Sequence, residues 1–271
     1  MVHGLSKFKE YFLNHTHQYV FIGGTACDIL MDDLGVPFRA TRDLDIVLIS
    51  ETLNSSFGNT FWRFIEDGGY SYCEKDTSFQ QFYRFSQPKD SAFPRMIELF
   101  CRMPTHIELK TAQNLTPIHI DNTVKSLSAI LINDDYYQQL MKGKRLIDGC
   151  SLINIETVIL FKMKAWMDLM SRKEAGEILD SKDIKKHKND IFKLLANVSL
   201  SGGTEVSQEI FKDINQFIRL VKEDKPDLKS LGIRSTRFDE FVMLIEKMYF
   251  TKEDCAFSNL QKEVDTKYDV K

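Results

Sequence analysis

Tyr19-Val-Phe-Ile-Gly-Gly-Thr-Ala26, followed by Arg39-Ala-Thr-Arg-Asp-Leu-Asp-Ile-Val-Leu-Ile49, decides the reading of this chain. Tyr19–Ile22 is a short β-prone run. Gly23-Gly24-Thr25 breaks it, after which Ala26, Ile29, Leu30 and Leu34 recur at helical spacing until Gly35 and Pro37. A strand that enters a Gly-Gly turn and leaves as a helix presents unbonded N–H groups at the helix N-terminus. Together with the helix dipole these suit a phosphate, and Thr25 adds a hydroxyl. By itself a glycine pair at such a corner is more often just a turn.

Asp43 and Asp45 stand at the head of the apolar strand Leu44–Ile49. Period-two alternation sends both carboxylates to one face and Leu44 and Ile46 to the core. Two carboxylates ~7 Å apart along a strand can share hard cations, which take oxygen ligands. The alternative is a solvated strand end, although the repulsion within the pair opposes it and Arg39 and Arg42 lie beside it. A third acid, Glu98, is flanked by apolar residues in Met96-Ile-Glu-Leu-Phe100. A strand buried on both faces needs a partner for it, whereas an edge strand would leave it wet.

Around this segment, Leu5, Phe8 and Phe12 predict a first helix, and Phe57, Phe61, Phe64 and Ile65 another, stopped by Gly68-Gly69. Phe79–Phe85 and Met96–Cys101 read as strands, parted by a loop with Pro88 and Pro94. A strand near Leu127–Ile132 and a helix near Asp134–Met141 follow. Strands interleaved with helices indicate an α/β or α+β domain over residues 1–150. From 151 to 250 the pattern is helical. Its stripes are Ile155–Met170, Ile184–Leu195, Phe211–Val221 and Phe241–Phe250, with Gly202-Gly203 and Pro226 between them. Residues 251–271 form a charged tail expected to fray.

The 271 residues carry 36 Lys+Arg against 39 Asp+Glu, a net charge of −3, with 43% hydrophobic and 28% charged residues. Such a balance is ordinary for a globular chain and excludes collagen, low-complexity disorder and a small disulfide scaffold. It argues against a surface that coats nucleic acid throughout but leaves room for one basic patch. The five cysteines are odd in number, widely spaced and without a CxxC pair, which predicts reduced thiols and neither zinc nor a disulfide framework. The N-terminus lacks a signal-peptide core, and no apolar run is long enough to span a bilayer. A soluble cytoplasmic protein without a membrane partner is expected. His15 and His17 are expected to be exposed, and Met163 and Trp166 to be core.

Gly-Gly-Thr, Asp-Leu-Asp and a later strand acid together resemble the nucleotidyltransferase superfamily that includes DNA polymerase β. The longer form, Ile22-Gly-Gly-Thr-Ala with Arg39-Ala-Thr-Arg-Asp-Leu-Asp-Ile-Val-Leu, looks most like its AbiEii-type toxin branch. Two departures are visible. Eighteen residues separate Gly24 from Asp43, more than in compact members, and Thr25 stands where Ser is common. The helical half adds Phe161-Lys-Met-Lys-Ala-Trp-Met-Asp-Leu-Met-Ser-Arg172 and Asp180-Ser-Lys-Asp-Ile-Lys-Lys-His187, similar to that family's lysine-bearing helix and the Lys/Arg-Asp step after it. The resemblance covers roughly residues 19–195.

The resemblance implies an α+β (α/β) fold, a nucleotidyltransferase-like mixed β-sheet flanked by helices and followed by a helical bundle, with the active site in the cleft between them. It implies transfer of a nucleoside monophosphate from an NTP to an acceptor hydroxyl, with tRNA as acceptor and an antitoxin as protein partner. Asp43, Asp45 and Glu98 would hold two Mg²⁺ ions, or Mn²⁺ in their place. Gly23, Gly24, Thr25, Arg39, Thr41 and Lys164 would bind the nucleotide. Asp183 would be an active-site acid orienting Lys164.

From spacing alone, Lys164, Asp168 and Arg172 share one helix face, which a surface ion-pair ladder also explains. Asp183 near a helix start also fits a cap. The lysines of Lys182–Lys188 form a solvated face or a seat for an RNA backbone. A small-molecule nucleotidyltransferase of the antibiotic-modifying kind, and a nucleotide-binding or antitoxin-interacting protein without turnover, are the rival functions.

Overall fold

A computed structural model describes residues 2–72, 83–102, 115–118, 127–198 and 202–252. The fold is α+β, with a mixed sheet flanked by helices. The chain divides into two compact units, residues 1–154 and 155–271.

The first unit runs α1 (Leu5–Phe12), β1 (Tyr19–Phe21), α2 (Gly23–Asp33), β2 (Asp43–Leu48), α3 (Ser55–Gly68), β3 (Ser71–Tyr72), β4 (Arg84–Ser86) and β5 (Met96–Arg102). It continues with β6 (Leu115–Ile118), β7 (Leu127–Ile132), α4 (Asp134–Gly143), β8 (Lys144–Ile147) and β9 (Cys150–Ile153). The strand order is β3-β4-β5-β2-β1-β9-β8. Of these neighbours, β2 is parallel to β5 and β1 to β9, while β1–β2, β4–β5, β3–β4 and β8–β9 are antiparallel. β4 pairs with the first half of β5 and β7 with the second, so the two share one edge of it.

One face of this sheet is aromatic. Phe21 packs at a tilt against Phe8 with ring centres 5.1 Å apart, Phe85 edge-on against Phe61 at 5.4 Å, and Phe12 at a tilt against Phe57 at 5.5 Å. Each such fully buried ring contributes roughly 1.5–3 kcal/mol. Direct partners in a register share a face, so Leu44, Ile46, Ile97 and Leu99 lie on this side with Phe21 and Phe85. α3 is delimited locally: the Asn54 side chain accepts from the Phe57 amide at 3.1 Å, and Gly69 takes φ 61° just past its end. β5 is an interior strand, not an edge, and its burial alternates along its length.

Several expectations change here. His15 is buried in the aromatic layer and meets the Gln18 side chain at 2.6 Å, while His17 is exposed. β8 and β9 form a hairpin around Asp148-Gly149, with φ 47° and 71°, and Cys150–Ile153 is fully buried beside β1. The first unit therefore includes residues 151–154, which periodicity alone assigns to the helical half. Residues 79–82 of the strand read at Phe79–Phe85 lie outside the described residues, and so does the tail from 253 onward. Cys27, Cys101 and Cys150 are buried and form no disulfide; Cys73 and Cys255 lie outside the described residues.

The second unit contains α5 (Ile155–Glu174), α6 (Ser181–Leu195), β10 (Thr204–Glu205), α7 (Gln208–Glu223), α8 (Phe238–Met248) and β11 (Tyr249–Phe250). Trp166 of α5 meets Phe217 of α7 edge-on at 5.4 Å, and Phe192 of α6 meets Phe241 of α8 at 5.5 Å. The short parallel pair β10–β11 interrupts what periodicity reads as purely helical. Among the described residues no helix is long and apolar enough to cross a membrane.

Candidate active site

The opposite face of the sheet carries charge. β2 pairs with β5 in parallel register, Asp43 opposite Met96 and Asp45 opposite Glu98. Asp43, Asp45 and Glu98 therefore share one face and are half-buried; Asp45 and Glu98 each lie between buried neighbours, whereas Asp43 follows the exposed Arg42. The loop into α2 sits against this face. Gly23 has φ 59°, and a Cβ there would collide with Oδ2 of Asp45. Glycine is required at this position because the carboxylate occupies the side-chain space. A Cβ on Gly24 would lie 2.8 Å from the Thr41 hydroxyl oxygen, so that glycine also seats a neighbour.

Two expected nucleotide contacts have structural duties. Thr25 is fully buried and donates its hydroxyl to the Asp43 carbonyl at 2.9 Å. That bond ties the first turn of α2 to the head of β2, and the hydroxyl faces the protein instead of solvent. Thr41 is buried against Gly24, and its carbonyl accepts from the His3 amide at 3.4 Å. Arg39 is half-exposed, with its guanidinium 5.9 Å from the Phe38 ring. The Gly23, Gly24 and Thr25 amides open α2 with no acidic residue in the first turn and no side-chain cap.

A residue that sequence reading passed over completes the row. Arg84 on β4 sits directly opposite Glu98. Its Nε donates to Glu98 Oε1 at 2.7 Å, and Nη2 reaches the same oxygen. Across β4, β5 and β2 the order on this face is thus cation, acid, acid. The signal available was the alternation Tyr83-Arg84-Phe85, which puts Arg84 on the face that Phe85 avoids.

Three aligned carboxylates have the oxygen chemistry of a hard divalent cation, and the space that Gly23 leaves for Asp45 fits that use. Glu98, however, is engaged with Arg84. Among the described residues no group of three or more His, Cys, Asp and Glu is gathered closely enough to hold a metal ion. The carboxylates on this face that could serve as ligands are Asp43 and Asp45, with Glu98 in register beside Asp45.

In the second unit, Lys164 pairs with Asp168 at 3.6 Å and with Asp213 of α7 at 3.3 Å. Burial would lower its pKa, but the two carboxylates outweigh that and hold it raised. Asp183 is not one of its partners. It is exposed in the first turn of α6, where Asp180 is the cap, accepting from the Lys182 amide at 2.8 Å. Arg172 pairs with Glu177 at 2.7 Å, so the expected ladder stops at Asp168. The Lys–Asp pair that does link α5 to α6 is Lys162–Asp190, at 2.8 Å with both side chains almost wholly buried.

The basic run divides. Lys182, Lys185 and Lys186 are exposed. Lys188 is only 5% exposed, and its ammonium contacts Asp224 at 2.5 Å and lies 5.7 Å from the Trp166 ring. It is a core cation and no part of a surface patch. Neither protein-family models nor curated proteins give a match to this chain.

Proposed function

We propose that the chain is a Mg²⁺-dependent nucleotidyltransferase that moves a nucleoside monophosphate from an NTP to an acceptor hydroxyl, in the manner of the AbiEii-type toxins it resembles. The observation that carries this reading is the common face of Asp43, Asp45 and Glu98, in register and set against the glycine-opened N-terminus of α2. Asp43 and Asp45 are the residues to hold the metal ions, with Glu98 completing the set. Bound there, magnesium would neutralise the triphosphate and acidify the attacking hydroxyl.

The protein's own groups then have separate tasks. The amides of Gly23 and Gly24, at the positive end of a helix without a side-chain cap, would take phosphate oxygens. Glu98 is the carboxylate available for the hydroxyl proton. The acceptor oxygen bonds to the α-phosphorus as the bond to the β-phosphate oxygen breaks, and pyrophosphate leaves. The resemblance assigns Lys164 to the triphosphate, and its two acids keep it charged for that task. Asp213, not Asp183, is the acid that supports it across helices. For the acceptor, RNA is favoured by Lys182, Lys185 and Lys186, exposed on α6 with no ion pair among the described residues.

Incubation with labelled NTPs, Mg²⁺ and total tRNA tests the reading. Label should enter tRNA, and Asp45→Asn should reduce transfer by more than the about 10–100-fold that loss of an outer-shell metal partner costs. Transfer by wild type to a small alcohol or aminoglycoside but to no RNA would move the function to the small-molecule class. Absence of any transfer would leave a nucleotide-binding or antitoxin-binding role.

A further inference from the structure

The face of β5 that carries Glu98 is half-buried along its whole length, at Met96, Glu98, Phe100 and Arg102, whereas Ile97, Leu99 and Cys101 between them are buried. Phe100 follows Glu98 by two residues, about 6.6 Å along the strand. Its partner on β2 is Val47, which is fully buried, so the opening at this register belongs to β5. Phe21 and Phe85, on the other face of the sheet, are fully buried in the aromatic layer. Phe100 is not part of that layer, and its ring has no aromatic or cationic contact among the described residues. A half-exposed phenyl ring without such a contact has π-surface to offer.

The two ends of this row differ. At one end Glu98 is in register with Asp45, against whose carboxylate the Gly23 turn closes. At the other, Arg102 donates to Asp134 at 2.6 Å and to Glu51 at 3.3 Å, and the Tyr137 hydroxyl donates to the second oxygen of Glu51 at 2.7 Å. Two carboxylates thus hold Arg102, which makes the α2 end the place for phosphates. We infer that Phe100 is the platform on which the nucleobase of the NTP stacks. The inference rests on the nucleotidyltransferase reading and adds to it the site of the base. Carboxylates and then an aromatic ring along one face follow the order of a nucleotide, whose metal-bound phosphates lead through the sugar to the base. Every base has a π-face, so the platform raises affinity for nucleotides while choosing little among them.

Calorimetric titration of the full-length protein in Mg²⁺ tests this without turnover. The probes are non-hydrolysable analogues of the four NTPs and inorganic tripolyphosphate, which has the phosphates but no base. Wild type should bind every analogue more tightly than tripolyphosphate. Phe100→Ala should weaken each analogue by at least about five-fold, the lower end of what loss of base–aromatic stacking costs, and leave tripolyphosphate unchanged. Phe100→Leu keeps an apolar side chain but no ring, so it should lose affinity for the analogues as well, while Phe100→Tyr should retain it. If Phe100→Ala does not fold, Phe100→Leu and Phe100→Tyr carry the comparison. Equal weakening of analogues and tripolyphosphate would make Phe100 a support of the sheet face and overturn the platform. Analogue affinity that is unchanged without the ring, or that never exceeds that of tripolyphosphate, would also overturn it. An RNA end carries the same bases: a loss confined to the binding of a short oligoribonucleotide would assign Phe100 to the acceptor and reject the present placement. Wild type that binds neither the analogues nor tripolyphosphate would instead sink the nucleotidyltransferase reading itself.

Discussion

Replacing Gly23 by alanine would ask a residue with a Cβ to hold φ 59° and would drive that Cβ into the Asp45 carboxylate. The backbone part alone costs about 1–2 kcal/mol. Gly35 provides the comparison, since it has φ 68° and a Cβ added there would meet nothing within 4 Å. In urea unfolding, Gly35→Ala should show only the backbone cost. Gly23→Ala should lose more, and Asp45→Ala in the Gly23→Ala background should return the excess. Thr25→Val is the second test at this scale. It removes the buried bond to the Asp43 carbonyl and should cost roughly 1 kcal/mol of stability. A drop in NTP affinity at unchanged stability would restore Thr25 to the phosphate. The sequence shows that these glycines and carboxylates are unusual. It does not show that Gly23 makes room for Asp45, because the two meet only when β2 is laid beside the strand that leads into α2.

Between elements, α6 shows what periodicity reveals and what it hides. Lys188 lies four residues after Ile184 and three before Ile191, so the helical wheel already places it on the apolar stripe. Reading it as part of a basic patch gives charge precedence over position. Lys162–Asp190 is different: its members are 28 residues apart, and only the crossing of α5 and α6 makes them a pair. Breaking a buried pair from one side leaves an uncompensated charge. Lys162→Met should therefore cost about 3–5 kcal/mol, whereas Lys162→Met with Asp190→Leu should recover most of it. Trp166, the one tryptophan of the second unit, reports this in a Trp62→Phe protein. The β8–β9 hairpin was legible but passed over: Asp-Gly between Ile147 and Cys150 is the residue pair that a two-residue turn with positive φ selects.

For the whole molecule, the two units should respond differently to alkali. Burial raises the phenol pKa of Tyr19, Tyr70 and Tyr137 in the first unit and of Tyr249 in the second. Burial also pushes the Cys101 and Cys150 thiols up to about 12 and about 11. In each case the folded form keeps a proton that the unfolded chain releases at its ordinary pKa. The stabilisation is complete below that value and is lost as pH rises toward the folded one. Each such group removes about 1.4 kcal/mol per pH unit within that window. Above pH 10 the first unit has the larger number of these groups among the described residues, so it should unfold at the lower pH. Trp62 fluorescence in a Trp166→Phe protein, set against Trp166 in Trp62→Phe, measures the two transitions separately. Coincident transitions would show that the units unfold as one.

The sequence by itself determined the α+β class, the helical character of the later residues, the Gly-Gly corner and the two-residue spacing of Asp43 and Asp45. All of these depend on local periodicity or on single-residue backbone preference, which a chain carries without knowing its neighbours. The tertiary structure alone decided that Glu98 shares their face, that Arg84 holds Glu98, that Asp213 supports Lys164 and that residues 150–153 belong to the sheet. Those facts depend on which strand lies beside which, in what register, and on where two helices cross. Register and crossing are set by the burial of the aromatic layer and the helical core as wholes. No window of sequence short enough to read for period contains them.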